Sequence, residues 1–295
     1  MINRRQFVGG SLTTLSALRV AGQDVNWPSP VLDVHLHARH GDDREIDHLR
    51  GAGITRAVLL PGLGSQERAH DLSIQSPSQF SWFGNADVRL PDAIAGLRGQ
   101  LTSGAIGMGE LKYPLDIDGP EMRRVYDLAA ELRVPVLMHY QEGAFNSGIA
   151  RLPALLKAYP KTTFIGHANS WWAHISAEVD DKVGYPGGPV KKGGLTDRIL
   201  ADFPNVYGDL SANSGRNALA RDPDFAPGFL ERHKGKLLFG SDCPCRDGRG
   251  AGQTGTMKDK CIARETLTMM ARMASPAVFR QIAWENGMKL LKIPS

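Results

Sequence analysis

Val134-Pro135-Val136-Leu137-Met138-His139-Tyr140 and, further on, Thr163-Phe164-Ile165-Gly166-His167-Ala168 are the stretches on which the fold turns. Each is a short apolar run closed by a histidine. Apolar residues at nearly every position, not at alternate ones, mark a strand buried on both faces, as in a parallel sheet. Between the two runs, Leu152–Ala158 carries apolar residues at the three- and four-residue spacing of a helix. The alternation continues outward in both directions. Strands are expected at 31–38, 55–61, 80–87, 105–112, 134–140, 163–168, 206–211 and 237–242. Helical spacing recurs at 46–49, 93–101, 122–132, 195–203, 229–233 and over the long stretch 261–291. Asp92 and the pair Gly119-Pro120 stand where helices begin. Eight strand–helix units predict an α/β chain folded as a single-domain (β/α)8 TIM barrel. An open doubly wound sheet is the rival, but no Gly-rich dinucleotide turn follows any strand.

Composition agrees with a globular enzyme. The 295 residues are 42% hydrophobic and 22% charged, with a net charge of +4. No run of basic residues calls for nucleic acid or an anionic membrane. No apolar stretch reaches the roughly 18 residues of a membrane span. The Gly-rich segment 184–194 lacks the Gly-Lys-Ser/Thr ending of a phosphate loop, which removes a nucleotide site there. Two connections, 169–194 and 243–257, are longer than a barrel needs; both follow strands and are expected to act as lids.

The polar residues fall at the strand ends. Asp33-Val34-His35-Leu36-His37 closes the first strand, and alternation sends His35 and His37 the same way. Glu110 ends the fourth strand, His139 the fifth, His167 the sixth and Asp242 the eighth. A barrel brings such residues to one rim. Four imidazoles and two carboxylates between low-dielectric walls are costly to leave unpaired. A divalent cation resolves that cost, since imidazole and carboxylate are ordinary ligands for Zn²⁺ and similar ions. Asp33 sits a layer deeper and reads as a structural hydrogen bonder, while Asp209 and Ser211 share a parity that sends them inward as support.

Asp33-x-His35-x-His37, the strand-ending His139 and His167, and Gly240-Ser241-Asp242-x-Pro244 together resemble the amidohydrolase superfamily, in its amidohydrolase-2 branch. The tail Ile282-Ala283-Trp284-Glu285-Asn286 is similar to the last helix of that branch. The resemblance covers about residues 31 to 293. It implies a metal-dependent hydrolase that uses a metal-activated water to cleave an amide, lactone or ester of a small substrate. His35, His37 and Asp242 would hold one metal, and His139 and His167 would face a second. Glu110 departs from the usual branch pattern toward a TatD-like, two-ion site. Without Glu110 one ion would be held by His35, His37, His139 and Asp242, with His167 as a catalytic imidazole. Asp242 would be the general base. Zn²⁺ is the expected cation, one or two per chain. A decarboxylase or hydratase of the same branch is the first alternative, and a non-catalytic metal-binding barrel the second.

Lys112 is read as a partner of Glu110 or a contact to a substrate carboxylate, and Tyr140, Trp171 and Trp172 as walls of the substrate pocket. Asn3-Arg4-Arg5-Gln6-Phe7-Val8, ahead of a mild apolar run, resembles a twin-arginine export signal over residues 1–22, leaving 23–295 as the barrel. That implies the twin-arginine machinery as a partner and a periplasmic or otherwise exported protein, cytoplasmic if the segment is only a basic terminus. A homodimer is the default assembly. Cys243, Cys245 and Cys261 are too few for a disulfide scaffold; a bridge to Cys261 and free buried thiols both stay open.

Overall fold

The computed structural model describes residues 25–39 and 44–294, so the expected export signal and its boundary with the barrel lie outside the described residues. All eight expected strands form. They are β1 (Leu32–His37), β2 (Arg56–Leu60), β3 (Phe80–Trp82), β4 (Met108–Leu111), β5 (Pro135–His139), β6 (Thr163–His167), β7 (Val206–Asp209) and β8 (Leu237–Leu238). Every pairing is parallel. The ladders run β1-β2-β3 and β4-β5-β6-β7-β8. Two seams join them into a closed barrel. At one, Gly84 N–H donates to Gly107 O at 2.8 Å and Gly109 N–H to Gly84 O at 2.9 Å; at the other, Val34 N–H reaches Phe239 O at 3.0 Å and Asp242 N–H reaches His35 O at 2.7 Å. The fold is therefore the predicted (β/α)8 barrel.

Helices α1 (Arg44–Ala52), α2 (Gln66–Gln75), α3 (Ala93–Thr102), α4 (Pro120–Leu132) and α5 (Leu152–Ala158) cover the first half. They are followed by α6 (Asn169–Ala173), α7 (Leu195–Asp202), α8 (Ala212–Ala220) and α9 (Ala226–Arg232). The last three are α10 (Ile262–Met273), α11 (Pro276–Arg280) and α12 (Asn286–Leu290). Pro120 takes the first turn of α4, where its missing N–H costs nothing. Three expectations need correction. The long periodic stretch 261–291 is broken at Ser275-Pro276, where Ser275 Oγ accepts from Val278 N–H to cap α11, and again by a π turn at Gln281–Glu285. Helices α2, α6 and α8 do not show in the periodicity: α2 buries only Ala69 and Leu72, and α6 is five residues long. Strands β3, β7 and β8 end earlier than expected, so Ser211 and Asp242 lie beyond the ladder.

Leu32 and Val34 of β1, Val58 and Leu60 of β2, Leu137 of β5, Ile165 of β6 and Leu238 of β8 form one buried cluster with Met288, Leu291 and Ile293. Strands from opposite sides of a barrel meet only inside it, so this cluster fills the interior. Each fully buried aliphatic contributes about 1.5–3 kcal/mol. The packed plug gives the strand ends a rigid base. No helix among the described residues is long and apolar enough to cross a membrane.

Candidate metal centre

The β5–β6 register sets His139 directly opposite His167, and β1 brings His35 and His37 to the same end. Glu110, from the end of β4, divides the four imidazoles between its two oxygens. Oε2 lies 3.4 Å from His37 Nε2 and 4.0 Å from His35 Nε2. Oε1 lies 3.4 Å from His167 Nε2 and hydrogen-bonds His139 Nδ1. Asp242 faces the same group from the other side. Its Oδ1 is 3.3 Å from His37 Nε2 and 3.9 Å from His35 Nε2, and its Oδ2 is 3.8 Å from His167 Nε2. The structure thus gathers all six residues that the sequence nominated.

Each imidazole is oriented from behind. His35 Nδ1–H donates to Asp209 Oδ2 at 2.7 Å, and His37 Nδ1–H donates to Leu60 O at 3.2 Å. Ser211 Oγ–H donates to Asp209 Oδ2 at 2.6 Å, so its oxygen accepts from His167 Nδ1–H at 2.7 Å. His139 gives its Nε2–H to Gln141 Oε1 at 3.2 Å. The partners behind His35, His37 and His167 are acceptors, which fixes a proton on the Nδ1 of each and turns Nε2 toward Glu110 and Asp242, while His139 is held at both nitrogens, by Glu110 and by Gln141. His35 Nε2 is buried with no hydrogen-bond partner. A buried inward nitrogen with no hydrogen-bond partner, beside two carboxylates, is a ready ligand for a cation. The residues fit a divalent metal.

The charges point the same way. Burial opposes a proton on His35, but Asp242, Asp209 and Glu110 outweigh it and raise its pKa. His37 is driven well above the ordinary histidine value, its burial overcome by Asp242 and Glu110. Burial works against ionised Glu110 too, yet its hydrogen bonds with His139 and His37 hold it well below the usual carboxylate range. His167 goes the other way, to about 4, through burial and the neighbouring His35. A cation would replace the protons of His35 and His37, so binding releases protons and weakens as pH falls.

Asp33 does not face the cluster. Its Oδ1 accepts from His35 N–H at 2.9 Å and Ser241 N–H at 2.8 Å, tying β1 to the loop after β8. Burial lifts its carboxyl to about 7. Asp209 and Ser211 take the supporting places expected of them. Gln141 was missed, although its parity with His139, two residues before it, carries the signal. Backbone strain gathers at the rim: Ala168, Ala212 and Asp242, none a glycine, have φ of 80°, 60° and 43° at the ends of β6, β7 and β8. Exchanging Asp209 for Asn removes the negative charge and one of the two acceptor oxygens behind His35. Metal affinity should fall about 10–100-fold, read by competition against a chromophoric chelator; unchanged affinity would show that Asp209 does not hold His35 in place.

The proposed pocket walls need correction. Tyr140 and Trp171 are fully buried, and Trp172 is 2% exposed. Tyr140 and Trp171 stack at 5.9 Å, and a Cβ at Gly166 would lie 2.4 Å from the Trp171 ring. Trp172 Nε1–H donates to Asp209 O at 2.9 Å. These aromatics are core residues behind the site; α6, which carries both tryptophans, starts just after Ala168. Lys112 is exposed and forms no ion pair with Glu110 among the described residues; its Nζ lies 5.1 Å from the centre of the Phe145 ring, which meets His139 edge-on at 5.7 Å.

Fold and site together define a (β/α)8 barrel whose rim gathers histidines and carboxylates that could hold a metal ion. The chain belongs to the amidohydrolase family, whose model matches residues 95–293. No curated protein sequence matches it. Among solved structures it is similar to 2,6-dihydroxybenzoate decarboxylase from Rhizobium, at 15% identity and TM-score 0.58 over 90% of this chain and 99% of that one. A dihydroxybenzoic acid decarboxylase from Polaromonas sp. JS666, with bound manganese and the inhibitor 2-nitroresorcinol, matches at 15% identity and TM-score 0.59 over 90% and 97%. A probable 2-pyrone-4,6-dicarboxylic acid hydrolase from Acinetobacter baumannii, with citric acid bound, matches at 13% identity and TM-score 0.58 over 90% and 100%.

Proposed function

We propose that the chain is a metal-dependent hydrolase of small lactones, esters or amides. One observation carries this reading: Glu110 sits between two pairs of imidazoles. The donors fall into the groups His35, His37, Asp242 and Glu110, His139, His167, each with its ligand atoms within 4.8 Å of one another. That arrangement suits one cation or two. Bound there, a divalent cation supplies Lewis-acid polarisation of a carbonyl and lowers the pKa of a water toward neutrality. Zn²⁺ and Mn²⁺ both match the imidazole and carboxylate donors. The other tasks belong to the chain. Asp242, whose side chain is 27% exposed, reaches the mouth and takes a proton from the attacking water at a carboxylate oxygen. His167, neutral at pH 7, keeps the lone pair of Nε2 directed at the centre. Asp209, Ser211, Gln141 and Leu60 O hold the imidazoles so that no donor must reorient during reaction. Lys112, beside Phe145 near His139, is placed to meet a substrate carboxylate.

Decarboxylation is the second reading, favoured by the dihydroxybenzoate decarboxylases among the similar structures. Metal-loaded protein assayed against lactones, esters and amides, and in parallel for CO₂ release from hydroxybenzoates, separates the two. Turnover only of the hydroxybenzoates would replace the hydrolase reading. No turnover in either set despite full loading would leave a metal-binding barrel without catalysis. We also propose twin-arginine export to the periplasm and a homodimeric assembly, tested by fractionating cells that express the Arg4→Lys, Arg5→Lys variant and by sedimentation of the purified protein.

A further inference from the structure

A second group of metal-ligating side chains lies outside the centre at the strand ends. Cys243, Cys245 and Cys261 are free thiols, 3%, 0% and 2% exposed, and His48 is fully buried beside them. Their ligand atoms all lie within 4.8 Å of one another. Cys243 Sγ is 3.3 Å from Cys245 Sγ and 3.7 Å from Cys261 Sγ, and Cys245 Sγ is 3.5 Å from His48 Nδ1. These contacts are far longer than a disulfide bond of about 2.05 Å. They approach the spacing of sulfurs around zinc: Zn–S bonds of about 2.3 Å at a tetrahedral angle set two sulfurs roughly 3.8 Å apart. We propose that Cys243, Cys245, Cys261 and His48 form a closed, four-coordinate structural site for Zn²⁺, separate from the catalytic centre.

The surroundings are those of a thiolate site. Gln253 Nε2–H points at Cys243 Sγ from 3.6 Å. Three thiolates and one cation of charge +2 leave a net −1. Arg39 places its guanidinium there, donating to Cys245 O at 2.7 Å and to Cys243 O. Cys245 O also lies 3.1 Å from His48 Nδ1, and because Arg39 donates to the same oxygen, that carbonyl keeps a partner when the imidazole nitrogen binds a metal instead. Four protein ligands and almost no exposure leave no open position for water or substrate, which marks a structural and not a catalytic ion. Three soft thiolates select Zn²⁺ over Mn²⁺ or Mg²⁺, in contrast to the nitrogen and oxygen donors of the catalytic centre.

The site would join three distant pieces of chain: α1 through His48, the loop after β8 through Cys243 and Cys245, and the start of α10 through Cys261. The backbone is already packed for that junction. A Cβ on Gly51 would lie 1.7 Å from Asp247 O, and one on Gly248, at φ 65°, would lie 2.4 Å from His48 O. Residue 243 follows Asp242 directly, so the same ion would anchor the segment that carries the catalytic carboxylate. The sequence spacing hides this, because His48 is 197 residues from Cys245.

Cobalt(II) is the probe, since only a thiolate-bound cobalt gives an intense near-ultraviolet charge-transfer absorption and the catalytic donors include no sulfur. Full-length protein stripped of metal under reducing conditions and titrated with cobalt should develop that absorption, its final intensity matching one thiolate-bound cobalt per chain. It should persist in His35→Ala, which damages only the catalytic centre, and disappear in Cys261→Ser. His48→Gln, which keeps all three thiols, should retain the absorption but bind cobalt at least 10-fold more weakly. Near-ultraviolet circular dichroism establishes that each variant is folded. A cobalt-saturated wild type without the absorption would overturn the proposal. So would an undiminished absorption in folded Cys261→Ser, or a disulfide among the three cysteines in protein purified without reductant.

Discussion

Asp242→Asn is expected to lower turnover about 10²–10⁴-fold, the range associated with a positioned general acid or base, while metal content stays at the wild-type level. The substitution keeps an oxygen donor and the shape of the side chain but removes the basic carboxylate. Asp242 is suited to the task by position: its two oxygens face His37 on one side and His167 on the other. It is also suited by charge. Burial works against ionisation, but His35 and His37 keep its carboxyl below the ordinary aspartate value, so it is a carboxylate at neutral pH. Elemental analysis beside steady-state kinetics checks the expectation. Full activity in the variant would remove Asp242 from the proton-transfer role, and loss of metal together with activity would make it a ligand only.

Glu110→Gln should have the largest effect on stability. In metal-free protein the Glu110 carboxylate is the shared counter-charge of the imidazoles, and removing one partner of a buried ion pair typically costs about 3–5 kcal/mol. The pH dependence follows from two opposite shifts. Glu110 is held well below 4.5, so its contribution is present above that value and lost as pH falls through the lowered one. His37 is raised well above 6.5, so its contribution is full below 6.5 and lost as pH rises through the raised value. The difference between chelator-treated wild type and variant should therefore be greatest near pH 5–6 and shrink toward alkaline pH. Denaturant unfolding at pH 6 and pH 9 reads it directly. Equal stability at pH 6 would mean that Glu110 does not neutralise the imidazoles.

The strands and the donors at their ends were legible because both are local. A strand buried on both faces must be apolar at consecutive positions, and a polar residue closing such a run is conspicuous, as with His139 after Met138 or Asp242 after Ser241. The weak helices were not legible. Two buried residues in α2 and a five-residue α6 leave too little periodic signal, and packing against the barrel makes them helical. The place of Tyr140, Trp171 and Trp172 next to strand-end histidines suggests pocket walls. Sequence adjacency does not say on which side of the strand an aromatic will lie, and here the space above Gly166 draws Trp171 into the core.

By itself, then, the sequence determined an eight-unit parallel barrel and the six metal-ligating side chains at its rim, since burial patterns and side-chain chemistry are properties of individual residues and their near neighbours. Only the tertiary structure decided that Glu110 lies between two imidazole pairs, that Asp209 and Ser211 orient His35 and His167, and that His48 meets three cysteines. Those relations join residues as much as 174 to 197 positions apart, and barrel closure, not any local pattern, brings them within hydrogen-bonding distance.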